Sequence, residues 1–112
     1  MNNETMNEKE IYELQAKICK ALANPTRIEI IDILSNGELC FGDILKLLNI
    51  SKSNLSQHLS TMVSNGLIKQ RKEGTNSYFA LSSDRVANAC QIMREVLKEN
   101  LKIKLNLFEM KL

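Results

Sequence analysis

Apolar residues recur at helical spacing along most of this chain and alternate in one short region, and residues that start or stop helices stand between these segments. Ile11, Leu14, Ile18 and Leu22 fall at i, i+3, i+7 and i+11, which predicts an amphipathic helix over about 10–23, after a polar, frayed stretch over 1–9. Asn24-Pro25 closes that helix and opens the next, since Asn24 can cap it and Pro25 suits a first position, where a missing N–H costs nothing. From Pro25 to about Ser35, Ile28, Ile30, Ile31, Ile33 and Leu34 cover much of the helix circumference, which predicts a helix in the middle of the fold. Asn36-Gly37 ends it, and Leu39 is expected in the core.

The region 41–65 predicts two short helices joined by a tight corner. Phe41, Ile44, Leu45 and Leu48 share one face, and Leu55, Leu59, Met62 and Val63 share another. At the corner, Asn49 is expected in the left-handed conformation that ends a helix, Ile50 as the plug, and Ser51 as the cap of the following helix. The outer face of the second helix holds Lys52, Ser53, Asn54, Ser56, Gln57 and Ser60, with His58 beside them. Serine and asparagine are poorer helix formers than the Glu, Lys and Ala of an ordinary solvated face. Their hydroxyls and amides suit base edges and phosphates near a positive helix end, so this face is expected to bind DNA.

Asn65-Gly66 predicts another helix stop. The alternating runs Leu67–Arg71 and Ser77–Leu81 then predict a hairpin over about 67–81, with Lys72–Asn76 as its loop and Arg71 and Lys72 placed to reach a phosphate backbone. After the cap signal Ser82-Ser83-Asp84, a stripe runs through Val86, Ala89, Cys90, Met93, Val96 or Leu97, Leu101, Leu105, Phe108 and Leu112 with no Pro or Gly, predicting one helix over about 84–110. LKIKLNL at 101–107 also alternates like a strand, but the longer helical period passes through it. So long a helix cannot bury its stripe on so small a domain. A two-fold partner presenting the same stripe is the expected solution, with Ile11, Leu14, Ile18, Met93, Leu97 and Leu101 in the interface.

Composition narrows the picture. At 112 residues the chain is expected to be a single domain over 1–112, mostly α with a small β-hairpin. A net charge of only +2 means that nucleic-acid affinity must come from local clustering, and Lys46, Lys52, Lys69, Arg71 and Lys72 follow one another with no acid between them. No apolar run approaches a membrane span and the polar N-terminus has no signal-peptide core, so a cytoplasmic location is expected. Cys19, Cys40 and Cys90 are odd in number and lie inside helical patterns, which argues against a disulfide framework. A glycine-rich phosphate loop, a nucleophile elbow and a cluster of titratable groups are all missing, so no enzyme is expected.

Four stretches, ALANPTRIEIIDIL at 21–34, GELCFGDI at 37–44, SNLSQHLSTMVSNGLI at 53–68 and RKEGTNSYFAL at 71–81, resemble in that order the bacterial ArsR/SmtB family of winged helix-turn-helix repressors. The resemblance implies a homodimer that dimerises through its N- and C-terminal helices, binds a double-stranded operator and is released by an inducer. It also implies that His58 occupies a position that packs or touches DNA. Arsenical-responsive relatives carry a C-x-C pair where this chain has Cys40-Phe41-Gly42, so one of two ligands is missing; His58, the single histidine, does not make a zinc site.

Three readings of the cysteines stand open. Each is a small buried hydrophobe, Cys19 more so than Cys40 or Cys90; or two or three of them, including across the dimer, supply thiolates for a soft metal or metalloid ion; or Cys40 and Cys90 form a reversible bridge that reports oxidant or reactive sulfur. No cofactor follows from the sequence. The rival to a DNA-binding repressor is a winged-helix module that binds protein partners, and steep salt dependence of duplex binding separates the two.

Overall fold

The computed structural model describes residues 5–111. Its order is α1 (Glu8–Leu22), α2 (Pro25–Leu34), β1 (Leu39–Cys40), α3 (Phe41–Leu47), α4 (Lys52–Ser64), β2 (Ile68–Glu73), β3 (Asn76–Leu81) and α5 (Asp84–Lys111). It is a winged helix-turn-helix, mostly α, as the hydrophobic pattern predicts.

The capping signals act as expected at α2 and α4. Asn24 Oδ1 accepts from the Arg27 backbone N–H at 3.1 Å with Pro25 in the first turn, and Ser51 Oγ accepts from that of Asn54 at 3.1 Å. Gly37 (φ 130) and Gly66 (φ 73) take the positive φ that follows a helix end. At the chain start the expectation was short: Asn7 caps α1 by accepting from the Glu10 N–H at 2.9 Å, so the helix begins at Glu8 inside the stretch expected to fray. Glu8 and Glu10 in its first turn complement the helix dipole.

Two expectations are corrected. Asn49 is not left-handed, because no non-glycine residue among those described has positive φ; α3 ends when Leu48 turns extended (φ -110, ψ 144) and buries its side chain in the core. The hairpin loop is shorter than Lys72–Asn76. Gly74 (φ 61) and Thr75 make a two-residue turn, so Lys72 pairs with Ser77 and Glu73 with Asn76 inside the ladder. A third strand is present that alternation could not reveal in two residues: β1 pairs with β3, Leu39 opposite Phe79 and Cys40 opposite Tyr78, giving the antiparallel order β1-β3-β2.

The core gathers Ile30, Ile31 and Leu34 of α2, Ile44 of α3, Leu48 beyond it, Leu55, Leu59 and Met62 of α4, and Leu67, Ile68 and Phe79 at the sheet. Every helix-turn-helix element therefore contributes side chains to one cluster, which holds α4 at a set angle to the wing. Val86, Ala87 and Cys90 pack the first turns of α5 on this core. The stretch 101–107 is helical, as the longer period requires. Beyond Cys90, every side chain described on α5 is exposed; the side chain of Phe108 and all of Leu112 lie outside the described residues.

Candidate nucleic-acid interface

α4 turns Leu55, Leu59 and Met62 inward, so its opposite surface is set by the core rather than by the residues that form it. Lys52, Ser53, Asn54, Ser56, Gln57 and Ser60 are all exposed on that side. No acid stands in the first turn of α4, so the positive end of its dipole faces outward uncompensated.

Two hollows flank the helix. On the wing side, a cleft of ≈ 610 Å³ runs between Ser56, Ser60 and Ser64 of α4 and Gln70, Thr75, Asn76 and Ser77 of the hairpin. It offers hydroxyl and amide groups and no charge. On the other side, Arg27 of α2 meets Gln57, His58, Ser60 and Thr61 around a hollow of ≈ 320 Å³.

His58 is half-buried on this second flank, and its Nδ1 accepts from Arg27 Nε at 3.2 Å. Desolvation first, and the adjacent Arg27 charge second, hold its pKa below 6.5. The ring is thus neutral at pH 7, with its proton on Nε2. Arg27 is the residue that sequence reasoning missed. It lies 31 positions from its partner, and nothing local in α2 signals the contact.

The wing arginine is less free than expected. Arg71 Nη2 donates to Glu38 Oε1 at 2.7 Å, Nη1 donates to Glu73 Oε2 at 2.6 Å, and the guanidinium carbon sits 4.5 Å from the Tyr78 ring centroid. The hydrogen bond from Arg71 holds the Glu38 carboxyl below the usual carboxylate range, while the same partners push Arg71 further up. Lys72, by contrast, is exposed beside the turn.

The three cysteines lie on different elements. Cys40 is half-buried at the end of β1, just before α3, and Cys90 is half-buried on α5; Cys19, expected to be buried, is exposed on α1, and all three are free thiols. Cys90 lines a hollow of ≈ 140 Å³ with Ile28, Asp32 and Arg94, and burial pushes its thiol pKa up against the pull of Arg94. Among the described residues, no three His, Cys, Asp or Glu side chains converge as a metal site would need.

With this geometry in view, the profile described as "Bacterial regulatory protein, arsR family" matches residues 24–70, from the α2 cap into the first long wing strand. The arsenical resistance operon repressor of Staphylococcus xylosus is 38% identical over 73 residues, 65% of this chain and 70% of that protein. The chain belongs to the ArsR family. The transcriptional activator HlyU of Vibrio cholerae is 34% identical over 94 residues, 81% of this chain and 87% of its own length. A solved homodimeric winged helix-turn-helix DNA-binding domain from Mycobacterium bovis superposes with a TM-score of 0.77 at 29% identity, covering 90% of this chain and 94% of that one. The ArsR family consists of DNA-binding transcriptional regulators rather than enzymes, and this chain is one of them. No helix among the described residues is long and apolar enough to cross a membrane.

Proposed function

We propose that this ArsR-family regulator is a homodimeric repressor that binds a specific operator through α4 and leaves it when an inducer acts. The observation that carries the reading is the outer face of α4, where Lys52 and five uncharged hydrogen-bonding side chains stand exposed at an uncompensated helix N-terminus. Gln57 pairs with a base edge, Ser53, Asn54, Ser56 and Ser60 contact bases or phosphates, and Lys52, Arg71 and Lys72 meet the backbone. His58 contributes through Nε2, because Nδ1 is already engaged.

Dimerisation is supported by two exposed apolar stripes. Ile11, Leu14 and Ile18 on α1 are 43–48% exposed, and Met93, Leu97 and Leu101 on α5 are 48–65% exposed. Burying both stripes against a second copy pairs two recognition helices for two operator half-sites. The homodimeric mycobacterial relative is consistent with this arrangement. Such a protein acts in the cytoplasm, where its DNA is.

Sensing through Cys40 and Cys90 is the inducer half of the proposal. Both thiols are partly accessible, as reaction with an oxidant or reactive sulfur, or capture of a soft ion across the dimer, requires. The test is binding of reduced protein to its own upstream DNA across a salt series, repeated after a tetrasulfide and, separately, As(III), Cd(II) and Zn(II). A steep log-linear loss of affinity with salt is expected, with release by the tetrasulfide that is abolished in Cys40→Ser or Cys90→Ser. Absence of duplex binding would return the fold to a protein-interaction role, and binding indifferent to every addition would make the cysteines core residues.

A further inference from the structure

α2 is a core helix, yet its first turn places a guanidinium beside the outward face of α4. Arg27 is tethered twice: Nη1 donates to the Ala21 carbonyl near the end of α1 at 3.0 Å, and Nε donates to His58 Nδ1 at 3.2 Å. These bonds hold the planar fork in one orientation and leave Nη2, with its two N–H groups, unengaged among the described residues. The adjoining hollow is lined by Arg27, Gln57, His58, Ser60 and Thr61. Each of these side chains can donate a hydrogen bond, and none is a carboxylate. Gln57 and Ser60 belong at once to this hollow and to the exposed face of α4.

The geometry points to this hollow as a site for one DNA backbone phosphate, with Arg27 as the charged ligand and His58 Nε2 and Ser60 as supporting donors, while Gln57 at its outer rim stays free for a base edge. The inference rests on the reading that α4 enters a DNA groove. A groove that admits a helix is bordered by two backbones. The wing stands over one flank of α4, and Arg27 supplies a cation on the other. Phosphate fits better than a base edge because the hollow lies beside the helix rather than at its outermost face, and because the charged N–H groups left on Nη2 make strong hydrogen bonds to phosphate oxygens. Two existing tethers also mean that little side-chain freedom remains to be lost on contact. α2 thereby binds DNA although it lies outside the helix-turn-helix.

The test measures binding of the full chain to its upstream duplex and to a random duplex of equal length between about 50 and 200 mM salt. Arg27→Gln is expected to weaken both by the same factor, about tenfold, and to flatten the log-log salt slope by about 0.9 per bound protomer. Arg27→Lys keeps the charge and is expected to keep the slope. A folded Arg27→Gln protein with unchanged slope, or with a loss confined to the upstream duplex, overturns the site and leaves Arg27 as a brace between α1 and α4. Because that brace matters to folding, ethylated-phosphate interference with unaltered protein gives a second reading. Interference along both backbones bordering the groove supports the site, and interference along the wing-side backbone alone overturns it. Unaltered protein that binds no duplex at all fails the DNA reading itself, a result distinct from a flat Arg27→Gln effect on a protein that binds normally.

Discussion

Gln57 is exposed on the outward face of α4, and its amide can make the paired donor-acceptor contact that distinguishes adenine. Gln57→Ala is expected to cost roughly 1–3 kcal/mol of operator affinity and to relax base preference, read by competition between operator and point-altered duplexes. Arg71 calls for a different expectation, since Glu38 and Glu73 already occupy its fork. A phosphate must displace one of them. Glu38→Gln should therefore tighten binding to operator and random DNA alike, with little change in melting temperature for so exposed a pair. Weaker binding would show instead that Glu38 aims the arginine. His58 makes stability pH-dependent: its folded pKa lies below 6.5, so below that value the unfolded chain takes up the proton first. The stability gap between unaltered protein and His58→Gln should be full above about pH 6.5 and shrink as pH falls through the lower folded pKa. A gap that stays constant with pH in urea titrations would rule this out. The α4 face was legible because its residues lie within one helix. The Arg27–His58 and Glu38–Arg71 pairs were not, since their members are 31 and 33 positions apart and only the fold brings them together.

Local chemistry sets the ends of the elements more reliably than it sets the connections. The Ser51 hydroxyl satisfies an N–H that would otherwise be unpaired at the start of α4, so Ser51→Ala should destabilise the protein by about 0.5–2 kcal/mol. An unchanged urea midpoint would mean that water replaces the cap. The α3–α4 corner shows the opposite case. Asn49 has the propensity for a left-handed helix stop, but burial of Leu48 makes an extended exit from α3 more favourable, and tertiary packing overrides the preference. In the wing, Gly74 allows a two-residue turn, and the resulting ladder draws Lys72 and Glu73 out of the loop that their polarity suggested.

The radius of gyration, 17.9 Å, well exceeds the roughly 13 Å of a compact domain this long, because α1 and α5 extend beyond the core. With 28 residues, α5 is about 42 Å long, and among the described residues its packing on the core ends at Cys90, with Arg94 reaching Asp32 at 4.0 Å a turn further on. Two copies would cover what one leaves bare. Leu97→Glu combined with Leu101→Glu would bury unpaired charge in such an interface, so the double variant should sediment as a monomer and lose cooperative operator binding. A double variant that remains dimeric would place the interface elsewhere.

Periodicity and capping residues by themselves determined the number and order of the helices, the wing and the exposed polar face of α4, because each depends on side chains within a few positions of one another. The same local signals exposed the apolar stripes of α1 and α5 as surfaces without a partner in their own chain. Tertiary structure decided the third strand, the exit from α3, the carboxylates that hold Arg71 and the approach of Arg27 to His58. Each of those is a contest between a local preference and a long-range contact. A single core drawing on four helices and the sheet decides such contests by burial, which no short window of sequence contains.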